Sequence, residues 1–258
     1  AVVVFLLHGG LNLFFVSIIL AIVFTGAAAW FAAREVFAAE REPVEPGELS
    51  RAFSLVLPVV ITFFVVTVMK NADLVYVKRL FGPAEVDAYA CAALVGSGFF
   101  TVSGIFMVMF PLVSEETALG GNPVVFLLKS AGAITAFSFA GIVAAWVFPG
   151  LIMRIITLGA DIPGAEPLIR YIGFAVTPVS LVFMMSNYLL ARHRWGFVWI
   201  PVAGAILQIF AMVLYHPSTL GLLSAVTAAN TATFIVMSAY VIYDHSHLSA
   251  APSTSDQE

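Results

Sequence analysis

The 258-residue chain is 61% hydrophobic and only 10% charged, with a net charge of −4 and a mean hydropathy of +1.03. Soluble domains carry about 25% charged residues, so this composition excludes one. Eleven scattered Lys and Arg form no basic patch, which excludes a nucleic-acid partner, and the single cysteine, Cys91, excludes an intrachain disulfide.

In chain order, residues 1–7 (AVVVFLL) come first, apolar but too few to cross a bilayer, and are expected to be the end of a preceding helix. No basic segment with a cleavage site precedes the next run, so no signal peptide is expected. Long apolar runs then follow at Leu11–Ala33, Ala52–Leu80, Ala84–Val113, Val124–Val147, Glu166–Leu190, Phe197–Tyr215 and Leu220–Tyr243. A helix rises 1.5 Å per residue, so about 20 apolar residues cross a hydrocarbon core of roughly 30 Å. Lipid offers the backbone no hydrogen bonds, and each run must therefore satisfy its own as helix. The expected fold is an all-α integral membrane protein with about seven transmembrane helices.

One connection differs from the rest. Residues 34–51 (REVFAAEREPVEPGELSR) are rich in Glu and Arg and carry two prolines and a glycine. Such a stretch is expected to divide structural units. The expected organisation is residues 1–33 as the end of an N-terminal bundle, 34–51 as a cytoplasmic linker, 52–245 as a six-helix bundle and 246–258 as a disordered polar tail. The helix over Leu11–Ala33 would then pack in a bundle separate from the six that follow. Loop charge does not orient the chain. One side collects Arg34, Arg41, Arg51, Lys129, Arg192 and Arg194; the other collects Lys70, Lys78, Arg79, Arg154 and Arg170. Only the compact Arg192-His193-Arg194 group leans to the cytoplasm.

Function in such a chain resides in the polar residues the membrane encloses. Lys70, Asn71 and Asp73 fall well inside the second run. Charge at membrane depth costs a few kcal/mol or more, so these residues either face a cavity or snorkel toward water near Lys78. Lys70 and Asp73 share a helical face at i,i+3, a spacing that permits mutual neutralisation. Asn187, Gln208 and Asn230 lie in three later runs, where hydrogen bonding between helices is the first expectation and substrate contact the second. Arg170 follows Glu166 by four residues, which favours a local ion pair. Pro58, Pro111, Pro178 and Pro201 open gaps in helical hydrogen bonding. Gly96, Gly98, Gly104, Ala131, Gly132, Ala133 and Gly141 favour close helix packing.

Enzyme signatures are missing: there is no nucleophile elbow, phosphate-binding glycine loop or HExxH. His245 and His247 beside Asp244 sit in a terminal segment poorly suited to a metal site. The last run has no Lys for a retinal Schiff base. No enzyme activity, metal or cofactor is expected.

Several motifs together resemble a known family. Asn71 and Asp73 stand late in one helix; Phe81-Gly82-Pro83, Glu85, Tyr89 and Ala90 lead into the next; Phe110-Pro111 and Ser114-Glu115 close it. FPGLIMRIITLG, with Pro149 and Gly159, then LIRYIGFAVTP and SNYLLARHRW continue the match. The pattern resembles the polysaccharide-biosynthesis flippases, in the superfamily that also holds the MATE drug exporters and lipid II flippases. Asp87 and Leu112 depart from it, where the family usually has Gly and Arg, and no Tyr follows Gly159 at the usual distance.

The resemblance covers most of Leu11–Tyr243 and implies the last helix of a first half plus the whole second half. It implies alternating access about a central cavity in a multi-pass protein of a bacterial or archaeal cytoplasmic membrane. The implied cargo is a polyprenyl-pyrophosphate-linked oligosaccharide, moved with or without a coupling ion. On that reading Lys70 contacts pyrophosphate, Arg170 is a second cationic candidate, and Asn71, Asp73 and Asn187 complete the candidate substrate site. Two alternatives remain at this stage: a MATE-type cation-coupled drug exporter, and a membrane assembly subunit with no transport role.

Overall fold

Backbone self-satisfaction governs what these segments become, and helix is the outcome. The computed structural model describes residues 48–105 and 123–249, together with Val23, Phe24, Ala27 and Trp30. Among the described residues the helices are α1 (Glu48–Leu80), α2 (Pro83–Ile105), α3 (Pro123–Val147), α4 (Pro149–Ile156), α5 (Ala165–Ala191), α6 (Trp199–Leu214) and α7 (Thr219–Ser249), with a 3₁₀ turn at Gly196–Val198 before α6. No strand occurs among them. The chain is an all-α membrane protein. Among the described residues, five helical stretches are long and apolar enough to cross a bilayer: Val56–Leu80, Val124–Val147, Ala165–Ala191, Gly196–Leu214 and Thr219–Ser246. The described part of α2, with Glu85 and Asp87 near its start, is not among these five.

The chain forms two compact units, Ala1–Ala52 and Phe53–Glu258. The expected span Leu11–Ala33 lies outside the described residues except for Val23, Phe24, Ala27 and Trp30, which are helical. The same holds for residues 34–47 of the linker and for 106–122, which contain the end of the Ala84–Val113 run with Pro111 and Glu115. Two expected boundaries move. Helix α1 starts at Glu48, inside the expected linker. Helix α7 continues to Ser249, so the first four residues assigned to a disordered tail are helical.

Proline sets several of the element boundaries. Pro83, Pro123 and Pro149 each open a helix, the position where a missing N–H is harmless. Pro149 also separates α4 from α3, because the residue before proline is pushed out of the helical region; Phe148 has φ −126° and ψ 46°. Helix α4 was not anticipated as a separate element. It lies across α5, α2 and α3 with Met153 buried and Ile155 exposed.

Helix α5 is the centre of the bundle. Two-thirds (67%) of its apolar window is buried, against 22% for α3, and it packs on α2, α3, α4 and α7. Its lower half meets Tyr89, Ala92 and Val95 of α2 and Leu222 and Val226 of α7. Its upper half packs with Leu127 and Ile134 of α3 and Met237 of α7, while Val65, Val66 and Met69 bring α1 against Val179 and Phe183. The outward side chains are also large and apolar: Phe64, Phe139, Ile206, Phe210, Ile235 and Ile242 are all exposed. Such a surface is stable against lipid and would aggregate in water.

Close approach at the centre depends on glycine. A Cβ on Gly96 would lie 2.9 Å from Ile172, and on Gly173 2.6 Å from Ile142; on Gly141 it would strike Phe99. Gly98 and Gly132, read alike from sequence, meet nothing within 4 Å. Ring contacts fix the alternation of the helices. Trp146 at the end of α3 meets Tyr171 at the start of α5, and Tyr76 late in α1 meets His216 just after α6. At the opposite end, Arg192 after α5 pairs with Asp244 late in α7. Successive long helices therefore run in opposite directions.

Candidate functional site

The second apolar run places Lys70, Asn71 and Asp73 within one turn of α1. Helical geometry spreads them around the axis, yet all three line one cavity of about 240 Å³ between α1, α2 and α5. Its other walls are Leu74 of α1, Ala90, Ala93, Leu94, Gly96 and Ser97 of α2, and Ile172 and Val176 of α5. Small residues on α2 leave the space; polar groups from α1 and Ser97 supply its chemistry. Three residues read as candidates from sequence thus share one site.

Their internal pairing differs from expectation. No ion pair joins Lys70 to Asp73. Tyr89 Oη donates a 2.7 Å hydrogen bond to Asp73 Oδ2, and the Leu74 backbone N–H donates to Asp73 Oδ1 at 2.8 Å. Tyr89 is fully buried and Asp73 is only 6% exposed. The carboxylate is therefore committed to α2, not to the lysine. Lys70 Nζ lies 4.9 Å from the centroid of the Phe100 ring, a distance at which a ring face attracts an ammonium. That leaves Lys70 half-buried at the cavity wall with an aromatic neighbour and no ion-pair partner among the described residues. Asn71 donates to the Thr67 carbonyl of its own helix at 2.8 Å and is exposed.

Arg170 and Asn187 lie outside this cavity. Asn187 is buried and donates to the Phe183 carbonyl one turn back, at 2.8 Å. Its bond stays within α5. Arg170 makes no ion pair with Glu166, whose carboxylate instead lies against Gly150 of α4; the Arg170 Nε is buried with no hydrogen-bond partner among the described residues. The i,i+4 spacing permits a pair, but the Glu166 carboxylate lies on the side of α4.

Gln208 and Asn230 follow the structural expectation. Gln208 Nε2 donates to the Met69 carbonyl of α1 at 2.9 Å, and Asn230 Nδ2 donates to the Ala175 carbonyl of α5 at 3.0 Å. Both cross between helices. Asn230 does so close to Pro178, which removes one hydrogen bond from the α5 ladder. A cluster that sequence reading did not assemble lies at the far end of α5. Arg192 Nη1 donates to Tyr188 Oη at 3.0 Å and to Asp244 Oδ2 at 3.1 Å, and Arg194 Nε lies 3.4 Å from Asp244 Oδ1. Local sequence marks the two arginines, but Asp244 is about fifty residues away and only the fold brings it in.

Compared with known proteins, the chain matches no family model, no curated protein and no solved structure.

Proposed function

We propose that the protein flips a polyprenyl-pyrophosphate-linked oligosaccharide across the cytoplasmic membrane of a bacterium or archaeon by alternating access. The observation that carries this reading is the Lys70 cavity. An ammonium with no ion-pair partner among the described residues lines a space walled by apolar membrane helices. Placing a charge there costs several kcal/mol unless water or a counter-charge relieves it. A pyrophosphate supplies that counter-charge through charge-assisted hydrogen bonds. Asn71 and Ser97 offer neutral donors and acceptors to sugar hydroxyls, while the described donors to Asp73 are Tyr89 and the Leu74 N–H, not Lys70.

The Lys70 ammonium favours this reading over the drug-exporter alternative. Cationic cargo would meet the Lys70 ammonium, while both Asp73 oxygens are already engaged by donors of the protein. Arg170 and Asn187 have no part in the site on this reading, since neither lines the cavity.

Reconstitution tests it. The full-length protein in proteoliposomes, loaded with a fluorescent polyprenyl-pyrophosphate oligosaccharide in one leaflet, should move the label to the other leaflet, where a membrane-impermeant quencher detects it. Transfer no faster than in protein-free vesicles would contradict the assignment.

A further inference from the structure

At the bundle end where α5 gives way to α6, two basic side chains share one acid among the described residues. Two guanidinium groups, Arg192 and Arg194, converge on one carboxylate, Asp244, and no other acid among the described residues pairs with either. The two arginines are not equivalent. Arg192 is largely enclosed, its side chain 13% exposed, and is held by Tyr188 and Asp244. Arg194 is 43% exposed and engages Asp244 through Nε, and its Nη groups make no hydrogen bond to the described residues. The Arg194 guanidinium is thus both held in place and open on one side.

The surroundings locate this charge at a membrane–water boundary. Trp199 opens α6 and is 72% exposed, and the exposed His193 packs edge-on against Trp195 at 5.7 Å. Indole rings concentrate at the headgroup level, where an apolar ring and a polar N–H are both satisfied. We propose that this end holds the phosphate of an anionic phospholipid headgroup. Arg194 makes the charge-assisted contact, while Asp244 and Arg192 position its guanidinium. A guanidinium suits this role because its planar fork engages two phosphate oxygens at once. The proposal does not depend on the transport reading: a protein that moves no oligosaccharide would still retain this lipid.

Native mass spectrometry on protein extracted from nanodiscs of equal phosphatidylglycerol and phosphatidylcholine content tests it. Wild type should retain phosphatidylglycerol preferentially, and Arg194→Gln should lower that preference about fivefold, the scale expected for one basic residue at an anionic surface. Arg194→Lys should keep part of it, and Lys78→Gln, at the opposite end of the bundle, should keep all. Equal retention of the two lipids by wild type, or unchanged retention by Arg194→Gln, would overturn the proposal. So would full displacement of the lipid by millimolar inorganic phosphate, which would reassign the site to a soluble anion.

Discussion

Tyr89 of α2 and Asp73 of α1 form a hydrogen bond of 2.7 Å between two buried side chains sixteen residues apart. It joins the helices that wall the Lys70 cavity and determines which partner the carboxylate takes. Removing the phenolic hydroxyl by Tyr89→Phe leaves Asp73 Oδ2 buried without its donor. The expected loss of stability is about 1–3 kcal/mol, the range for orphaning a buried polar group. Asp73→Asn keeps its oxygen for the Leu74 N–H and offers its Nδ2 as a donor to Tyr89 Oη, so it should lose less. Thermal unfolding in detergent checks the order, and Tyr89→Phe as stable as wild type would refute it.

Glycine packing gives a second test, with an internal control on the same helix. Gly96→Ala introduces a methyl 2.9 Å from Ile172 Cγ1 and 3.0 Å from Val176 Cγ2. Forcing α2 away from α5 should destabilise by about 1–3 kcal/mol. Gly98 meets nothing within 4 Å, so Gly98→Ala should gain some of the roughly 1 kcal/mol by which Ala exceeds Gly in a helix. Opposite signs are expected from unfolding curves. Two losses of equal size would show that the α2–α5 approach is not the cause.

Helix alternation makes a topological prediction. His193 follows α5 and His216 follows α6, at opposite ends of a single span. Single cysteines at these two positions, in a Cys91→Ala background, should react with impermeant thiol reagents from opposite faces of the membrane. Labelling from one face would remove the Gly196–Leu214 crossing.

Much of the fold was legible because the bilayer imposes one rule on every span. The run Val124–Val147 is α3 less its leading proline, and Glu166–Leu190 is α5 to within a residue at each end. Helix α4 was hidden because its eight residues are as apolar as the spans around it and too few to cross. Pairing was less legible. The i,i+3 spacing of Lys70 and Asp73 states only that they are able to meet, whereas Tyr89 is buried against Asp73 and takes its oxygen. Arg170 fails in the same way, its expected partner Glu166 lying against Gly150. Spacing on one helix names side chains that are able to meet; which partner is taken, as with Tyr89 and Asp73 or Arg192 and Asp244, follows only from the packed structure.

The central claim is that Lys70 recognises an anionic group inside the membrane, and transport by its variants tests this most directly. In the full-length protein, initial rates of lipid-linked oligosaccharide flipping should be compared for wild type, Lys70→Ala and Lys70→Arg at matched membrane insertion. Loss of one charge-assisted contact corresponds to about 1.5–3 kcal/mol. Lys70→Ala should therefore be slowed by about tenfold or more, and Lys70→Arg should retain a substantial part of the rate. Wild-type flipping by Lys70→Ala would contradict the account and reduce Lys70 to a side chain that merely reaches for water.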